Sequence, residues 1–337
     1  MLQASGDPLH TRLLTLDARS AEGGRFAVRG EVLDLRKRGL VPVPHALQLP
    51  GVIHRMELET LVDPAERRFE RIEARQPVVA FEASPATGGE SCRDPAGALQ
   101  ALVGARLGSA FLRRLSEAYG GPRGCTHLLT LARLLASGTA RALDLEAELA
   151  AAARESGERV FRRALVLDGF ERPGGVMQLA VQLSDVQLRP RAEAPPSSLD
   201  ALASQTELRV FATLDLATTV LRELRAEERT RTRADRASAP FTERSGELEG
   251  LVGRPLMSGF GPEVVRRFGD APGSAALLDA LLNLAPGYVQ CVAAVRDLFL
   301  PGGPAAASLG ARPDSCFMWR SGGTLQLAQA AREGAGS

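Results

Sequence analysis

The sequence contains the same pattern twice, and this internal repeat constrains the fold more than any other feature. Residues 99–132 and 248–281 align without a gap at an offset of 149 positions, and 11 of the 34 aligned residues are identical. Two further blocks recur in the same order: residues 13–35 with 164–186, and residues 54–74 with 206–226. Three blocks in one order predict a tandem duplication.

Each copy begins with strand-like segments and ends with helical ones. The segments TRLLTLDA, RFAVRGEVLDL, HRMELETLVD and RRFERIEA alternate apolar and polar residues, which is typical of a sheet with one buried face. Leu128, Leu131 and Leu135 follow at helical spacing, in a helix predicted to begin at about Thr126. This order predicts an α+β fold in which each copy is an antiparallel sheet covered by helices.

The repeat also predicts the domain organisation. The first copy is expected over residues 8–145 and a degenerate second copy over 159–300. Residues 301–337 form a tail rich in Gly, Ala and Pro, in which the run Phe317–Trp319 is expected to pack against the fold.

Composition excludes several classes of protein. The 41 basic and 40 acidic residues give a net charge of +1, so we expect no nucleic-acid partner. No uninterrupted apolar run approaches the roughly 18 residues of a membrane span, and the N-terminus lacks the features of a secretory signal. We therefore expect a cytoplasmic protein with reduced cysteines and no membrane span.

The two copies differ in their reactive side chains. Four residues with metal-binding or nucleophilic groups occur in the first copy: His54, Cys92, Cys125 and His127. Their aligned positions in the second copy hold Thr206, Phe241, Ser274 and Ala276. The leucines that follow His127 are retained, so packing alone explains the difference poorly. Two thiolates and two imidazoles suit zinc or iron, and the sequence predicts a metal site with these four ligands.

Two alternatives remain open for the same residues. Cys125 follows a Gly-rich turn at a predicted helix start, where the helix dipole favours a thiolate and lowers the pKa of a cysteine. It could act in a thiol-dependent hydrolase or transferase, with His127 or His54 as the base. Alternatively, the cysteines are inert core residues and the protein is a non-catalytic interaction or assembly module.

The remaining histidines and cysteines have no expected part in the site. We expect His10 and His45 to be exposed, near loops or strand ends. Cys291 is expected in the core, and Cys316 packed against the fold.

The run SCRDPAGALQALVGARLGSAFLRRLSEAYGGPRGCTHL resembles the bacterial domain-of-unknown-function 2889 family. The resemblance covers about residues 8–143, and GCTHL is its most specific part. It implies a site built around His54 with Asp63, Cys92 and the GCTHL helix start, and it implies no particular activity. The second copy lacks the Cys and His of GCTHL.

A looser similarity concerns the fold. Antiparallel strands, a cysteine, a helix and a second cysteine at the start of a final Ala-rich helix are similar to iron–sulfur scaffold and sulfur-acceptor proteins. This likeness implies metal or sulfur chemistry at the edge where sheet and helix meet, but fold does not by itself imply function. The sequence therefore favours a metal- or sulfur-handling site in the first copy, with the second copy completing the core or one wall of the site.

Overall fold

A computed structural model describes residues 4–43, 46–149, 153–193, 201–232, 239–269, 271, 273–295 and 313–328. We call residues 4–149 the first half and residues 153–295 the second half. His45 and most of the predicted tail lie outside the described residues.

The centre of the fold is one antiparallel sheet of nine strands. The first half contributes β1 (Asp7–Ser20), β2 (Phe26–Arg36), β5 (Gly51–Asp63) and β6 (Arg68–Val78). The second half contributes β7 (Arg159–Arg172), β8 (Val176–Leu188), β9 (Leu202–Asp215), β10 (Leu221–Thr232) and β11 (Thr242–Glu243). A small separate hairpin comprises β3 (Val41–Val43) and β4 (Ala46–Gln48).

The two halves join edge to edge at the middle of this sheet. The strand order is β11-β10-β9-β8-β7-β1-β2-β5-β6, so the first strand of each half pairs with the first strand of the other. The antiparallel β1–β7 pairing runs from Asp7 opposite Glu171 to Arg19 opposite Arg159. The strands of both halves therefore belong to a single hydrogen-bonded sheet.

Matching Gly-Gly turns follow the first strand of each half. Gly23 and Gly24 connect β1 to β2 with φ values of 67° and 71°, and Gly174 and Gly175 connect β7 to β8 with 79° and 68°. Glycine adopts this left-handed backbone without the steric cost that a Cβ brings, which accounts for a Gly-Gly pair at each turn.

Helices cover one face of the sheet. They are α1 (Ser109–Tyr119) and α2 (Thr126–Leu149) in the first half, and α3 (Phe260–Phe268) and α4 (Ala275–Val295) in the second. In β1 and β2 alternate residues are buried beneath these helices, as the period-two pattern predicts. The prediction of an antiparallel sheet covered by helices is confirmed.

The structure corrects one helix. The spacing of Leu99, Leu102 and Leu107 favours an α-helix, but the chain forms a 3-10 helix over Asp94–Leu102 and Gly104 has a φ of 78°. Pro95 lacks an N–H to donate, and a left-handed residue cannot continue a right-handed helix.

The main elements of both halves follow the same order: four long strands, a 3-10 segment and two α-helices. The first half also contains the β3–β4 hairpin, and the second half contains β11. A shared order does not establish common descent, so the tandem duplication and the domain boundaries drawn from it stay predictions. Their strands nevertheless belong to one continuous sheet.

Two segments expected to pack do so. Cys291 is fully buried in α4, and its Sγ lies so close to β7 that a Cβ at Gly169 would meet it at 2.0 Å. In the described part of the tail, Met318 is 2% exposed and the ring of Trp319 packs edge-on against Phe81. Cys316 is half-buried against the core.

Helix α4 is long and apolar enough to cross a membrane by length and composition. However, 67% of its most apolar stretch is buried inside the fold, as in the core helix of a soluble protein. Asp279 and Asn283, both buried, interrupt its apolar sequence.

Close packing of α4 on β7 makes a testable prediction. A Cβ at Gly287 would lie 2.4 Å from Leu167 Cδ1 and 3.1 Å from its Cγ, whereas a Cβ at Gly261 in α3 would meet only Leu282 Cδ2, at 4.0 Å. We expect Gly287→Ala to lower the free energy of unfolding by about 1–3 kcal/mol through overpacking. Gly261→Ala should leave it unchanged or raise it by up to about 1 kcal/mol. Urea denaturation of both variants checks this, and equal stabilities would contradict the packing described.

Candidate metal centre

Three charged or ionisable residues form a row across the helix-covered face of the sheet. Arg12 of β1 lies directly opposite Asp34 of β2, and Asp34 lies opposite His54 of β5. All three are buried, at 1%, 0% and 6% exposure respectively. The strand register thus places a carboxylate between a guanidinium and an imidazole.

Helix α2 adds a second imidazole above this row. His127 lies in its first turn, and its Nε2 is 3.3 Å from Asp34 Oδ2. His54 Nδ1 is 3.9 Å from the same oxygen, and the two imidazole rings are 3.7 Å apart between centroids. The docking of α2 on the sheet therefore brings Asp34, His54 and His127 together.

Neighbouring side chains orient these three residues. His10 Nε2 is 2.9 Å from Asp34 Oδ1, whereas His54 and His127 approach the other oxygen, Oδ2. Cys125 Sγ is 3.7 Å from His127 Nδ1. Gln290 Nε2, from α4 of the second half, is 3.2 Å from His127 Nε2. Hydrogen bonds to the non-ligating atoms of histidines and carboxylates, such as those at Asp34 Oδ1 and His127 Nδ1, are common around protein metal ions. Gln290 instead contacts Nε2, the nitrogen of His127 that faces Asp34 Oδ2.

Burial and neighbouring charge set the ionisation of the group. Burial by itself would raise the pKa of Asp34, but Arg12, the hydrogen bond from His10 and the imidazole of His127 together hold that pKa below its ordinary value. Burial lowers the pKa of His54 to about 4, and it lowers the pKa of His127 well below the usual 6.5. At neutral pH the cluster is one carboxylate and two neutral imidazoles, the forms that bind metals.

The spacing of the three residues fits a single ion. One potential ligand atom from each of Asp34, His54 and His127 lies within 4.8 Å of the others, all buried. Bonds of 2.0–2.1 Å in tetrahedral geometry separate neighbouring ligand atoms by about 3.4 Å. The distances of 3.3 and 3.9 Å from Asp34 Oδ2 to the two imidazole nitrogens are close to this value.

Several polar atoms of the cluster lack hydrogen bonds. Within the described part of the chain, Asp34 Oδ2, His54 Nδ1, Arg12 Nε and Arg12 Nη2 are buried and have no hydrogen-bond partner. Buried polar groups in folded proteins are nearly always partnered, so these atoms are available to bind a water molecule, an ion or another ligand.

The second half has a row of three residues at the matching strand positions, and the third residue is a threonine where the first half has a histidine. Arg163 of β7 lies opposite Asp185 of β8, which lies opposite Thr206 of β9. Arg163 Nε and Nη2 each donate to Asp185 at 2.7 Å, and Nη1 donates to Asp279 of α4 and to Ser137. All three nitrogens of the Arg163 guanidinium therefore have hydrogen-bond partners, in a row that contains no imidazole.

The four predicted ligands do not all meet. His54 and His127 come together, and Cys125 lies beside His127. Among the described residues, the group whose ligand atoms lie within 4.8 Å of one another contains neither Cys92 nor Cys125. Cys92 is buried, and its carbonyl accepts a hydrogen bond from Gln76. Asp63, named by the family resemblance, instead accepts backbone hydrogen bonds from Ala65 and Glu66 in the β5–β6 turn.

Sequence reasoning missed two members of the cluster. A comparison of the aligned segments selects only residues without a counterpart, and Asp34 has one in Asp185, so it gives no signal for Asp34. The expectation of an exposed His10 is wrong: the residue is fully buried against Asp34, because β1 begins at Asp7 and places His10 inside the sheet. The period-two pattern that His10 shares with Leu14 and Leu16 of the same strand is the signal for its burial.

The expected ionisation of Cys125 is also wrong. The N–H groups of Leu128 and His127 do lower its pKa, as a helix start predicts. Burial outweighs them and raises the pKa of Cys125 to about 11, and it raises that of Cys92 to about 12. Both residues are free thiols.

These buried thiols should be inert in the native protein. We expect iodoacetamide at pH 8 to label Cys92 and Cys125 far more slowly than after denaturation in urea, because neither thiol ionises there and both are under 9% exposed. Peptide mass spectrometry over a time course measures each site separately. Rapid labelling of native Cys125 would instead favour the thiol-dependent enzyme.

The fold and site together define a mixed α/β protein that buries an Asp/His/His cluster between an antiparallel sheet and a helix. Residues 10–141 match the family described as "Protein of unknown function (DUF2889)", which confirms the resemblance noted from the sequence. The matched region includes His10, Asp34, His54 and His127. No curated protein and no solved structure matches the chain.

The low pKa of His54 makes stability depend on pH. Between pH 6.5 and about 4 the unfolded chain binds a proton at this residue that the native protein does not bind. The free energy of unfolding of chelator-treated protein should therefore fall as pH falls through this range, by on the order of 3 kcal/mol from His54. Urea unfolding at a series of pH values should show a shallower dependence for His54→Gln. The same pH dependence of the free energy of unfolding in wild type and in His54→Gln would contradict the low pKa of His54.

Proposed function

We propose that the protein binds one transition-metal ion in the first half, with Asp34, His54 and His127 as its protein ligands. The observation that carries the proposal is the convergence of three buried ligand atoms, two of which, Asp34 Oδ2 and His54 Nδ1, have no hydrogen-bond partner among the described residues. In this proposal Asp34 takes the place that the sequence analysis gave to cysteine thiolates.

The donor set favours zinc or iron(II). Two imidazoles and one carboxylate form the catalytic zinc sites that keep a fourth position for water, and also the facial triad of non-haem iron(II) proteins. Either metal, when bound, supplies a Lewis acid that activates water or polarises an oxygen of a ligand. Three protein ligands leave at least one position for such a molecule.

Other residues of the chain support these ligands. His10 donates to Asp34 Oδ1, which leaves Oδ2 directed at the two imidazoles. Cys125 Sγ lies beside His127 Nδ1, and Nε2 of the same ring, which Gln290 Nε2 contacts at 3.2 Å, becomes the metal ligand once that contact gives way. Gln290 gives the second half a contact with the centre, which fits its expected part as one wall of the site. We propose further that the protein acts in the cytoplasm.

Metal analysis tests the proposal directly. Protein purified without added metal, or reconstituted with zinc or iron(II) after chelation, should contain about one equivalent of bound ion by mass spectrometry. The variants His54→Gln and Asp34→Asn should lose most of the bound metal. Thr206→Val changes the position equivalent to His54 in the second half and should keep it. Cys92→Ser should also keep it, since its sulfur lies outside the cluster.

A thermal shift provides a second measurement. Saturating metal should raise the unfolding temperature of chelated wild type, because an ion that binds only the native state stabilises it by about 2.7 kcal/mol at 100 times its dissociation constant. His54→Gln should show no shift while keeping the circular dichroism of the wild type. Wild-type protein that takes up neither metal would overturn the proposal.

A further inference from the structure

The face of the sheet that the described helices leave open carries a trough lined by arginines. Its volume is about 380 Å³, within the range of small-molecule sites. Four strands each contribute one arginine to it: Arg19 of β1, Arg29 of β2, Arg71 of β6 and Arg159 of β7. We call this surface the arginine trough, and the metal proposal makes no use of it.

The four guanidinium groups are accessible to a solute. Their side chains are between 39% and 59% exposed. Each arginine is next in sequence to a residue that is buried under the helices: Ala18, Val28, Ile72 and Val160. Because successive side chains of a strand point to opposite faces of the sheet, the arginines project from the open face.

The strand register arranges these arginines around a small residue. Ala27 of β2 lies opposite Arg19 on one side and opposite Leu61 of β5 on the other. Arg71 lies opposite Leu61, one strand further on. Arg29 follows Ala27 by two residues and therefore shares its face of the sheet. The small side chain of Ala27 leaves the space between the longer ones open.

The trough carries an excess of positive charge. Two carboxylates, Asp17 and Glu59, line it beside the four arginines. The neighbouring charged residues add three charges of each sign, namely Glu31, Glu57 and Glu73 and, beside these or the lining carboxylates, Arg55, Arg75 and Arg162. An excess of about two positive charges therefore remains, and a concave surface of one sign attracts ions of the other.

One pair of arginines shows the same imbalance locally. Arg19 and Arg159 are opposite each other in the β1–β7 pairing, and both contact the carboxylate of Asp17. Like charges at opposed positions destabilise a sheet, and one carboxylate neutralises only one of the two. A bound anion would offset the remaining charge.

The sheet itself does not require arginine at these positions. The positions of the second half that align with Arg19, Arg29 and Arg71 hold Phe170, Ala180 and Glu223. The same strands therefore form there with an aromatic, a small and an acidic side chain on the open face. A role outside the packing of the sheet accounts better for the arginines of the first half.

We infer that the arginine trough binds the phosphate group of a small phosphate monoester, held over Ala27 by the surrounding arginines. A phosphate monoester carries a charge of about −1.5 to −2 at pH 7, which matches the excess of the trough, and it offers three acceptor oxygens. A carboxylate offers one charge and two oxygens. Arginine is suited to this task because its planar guanidinium pairs with two phosphate oxygens at once. The inference does not depend on the proposed metal site.

Calorimetric titration of the full chain, treated with chelator to remove any metal, tests this inference. Glycerol 2-phosphate is the probe, with acetate and glycerol as controls at constant ionic strength and pH 7.5. We expect saturable binding of one equivalent of glycerol 2-phosphate, binding of acetate at least 10-fold weaker, and no binding of glycerol.

Variants locate the binding site on the sheet. Arg29→Gln and Arg71→Gln should each weaken binding by about 10-fold, because each loses hydrogen bonds to a charged group. Ala27→Leu fills the space between the arginines without changing the charge and should weaken binding at least as much. Arg225→Gln is the matched control: Arg225 is half-exposed on β10, outside the trough, and its loss should leave the affinity unchanged.

The circular dichroism of each variant should equal that of the wild type, since the changed side chains lie on the open face. Wild-type protein that shows no saturable binding of glycerol 2-phosphate overturns the inference. Acetate bound as tightly as glycerol 2-phosphate also overturns it, because the site would then not select a phosphate. The same holds if Arg29→Gln, Arg71→Gln and Ala27→Leu all bind as tightly as Arg225→Gln.

Discussion

The buried carboxylate of Asp34 is the constraint around which the first half is organised. It has no exposed surface, yet it is held in its charged form by Arg12, by a hydrogen bond from His10 and by the imidazole of His127. A charge beneath a helix layer must be matched by groups that reach it from the adjacent strands and the covering helix. Arg12, His10 and His127 are the groups that meet this requirement for Asp34.

The two halves meet this requirement differently on the same scaffold. In the second half, Asp279 of α4 completes a closed network with Arg163 and Asp185, and the network leaves no guanidinium nitrogen without a partner. In the first half, two imidazoles occupy the space around the carboxylate, and several polar atoms of the described residues remain unpartnered. A closed ion-pair network suits structural stabilisation, whereas an incomplete one suits a ligand.

Much of the fold could be predicted because it depends on local patterns. Alternation in TRLLTLDA and RFAVRGEVLDL predicts β1 and β2, and leucine spacing after Thr126 predicts α2. The apolar spacing of Leu99 and Leu102 favours an α-helix, but Asp94–Leu102 is a 3-10 helix, because Pro95 lacks an N–H to donate. Of the site, His54 and His127 were predicted from their absence in the second copy, while Asp34 and His10 were not.

The sequence by itself determined which residues alternate toward the core, where α2 begins, and that His54, Cys92, Cys125 and His127 have no counterparts at the aligned positions of residues 159–300. These properties follow from neighbours along the chain, so periodicity and turn residues are enough to find them. Only the tertiary structure decided that Asp34, His54 and His127 lie in one buried cluster beside Arg12 and that this cluster does not include Cys92. Strand register and the position at which α2 docks determine this grouping, and both depend on the packing of the whole sheet against its helices.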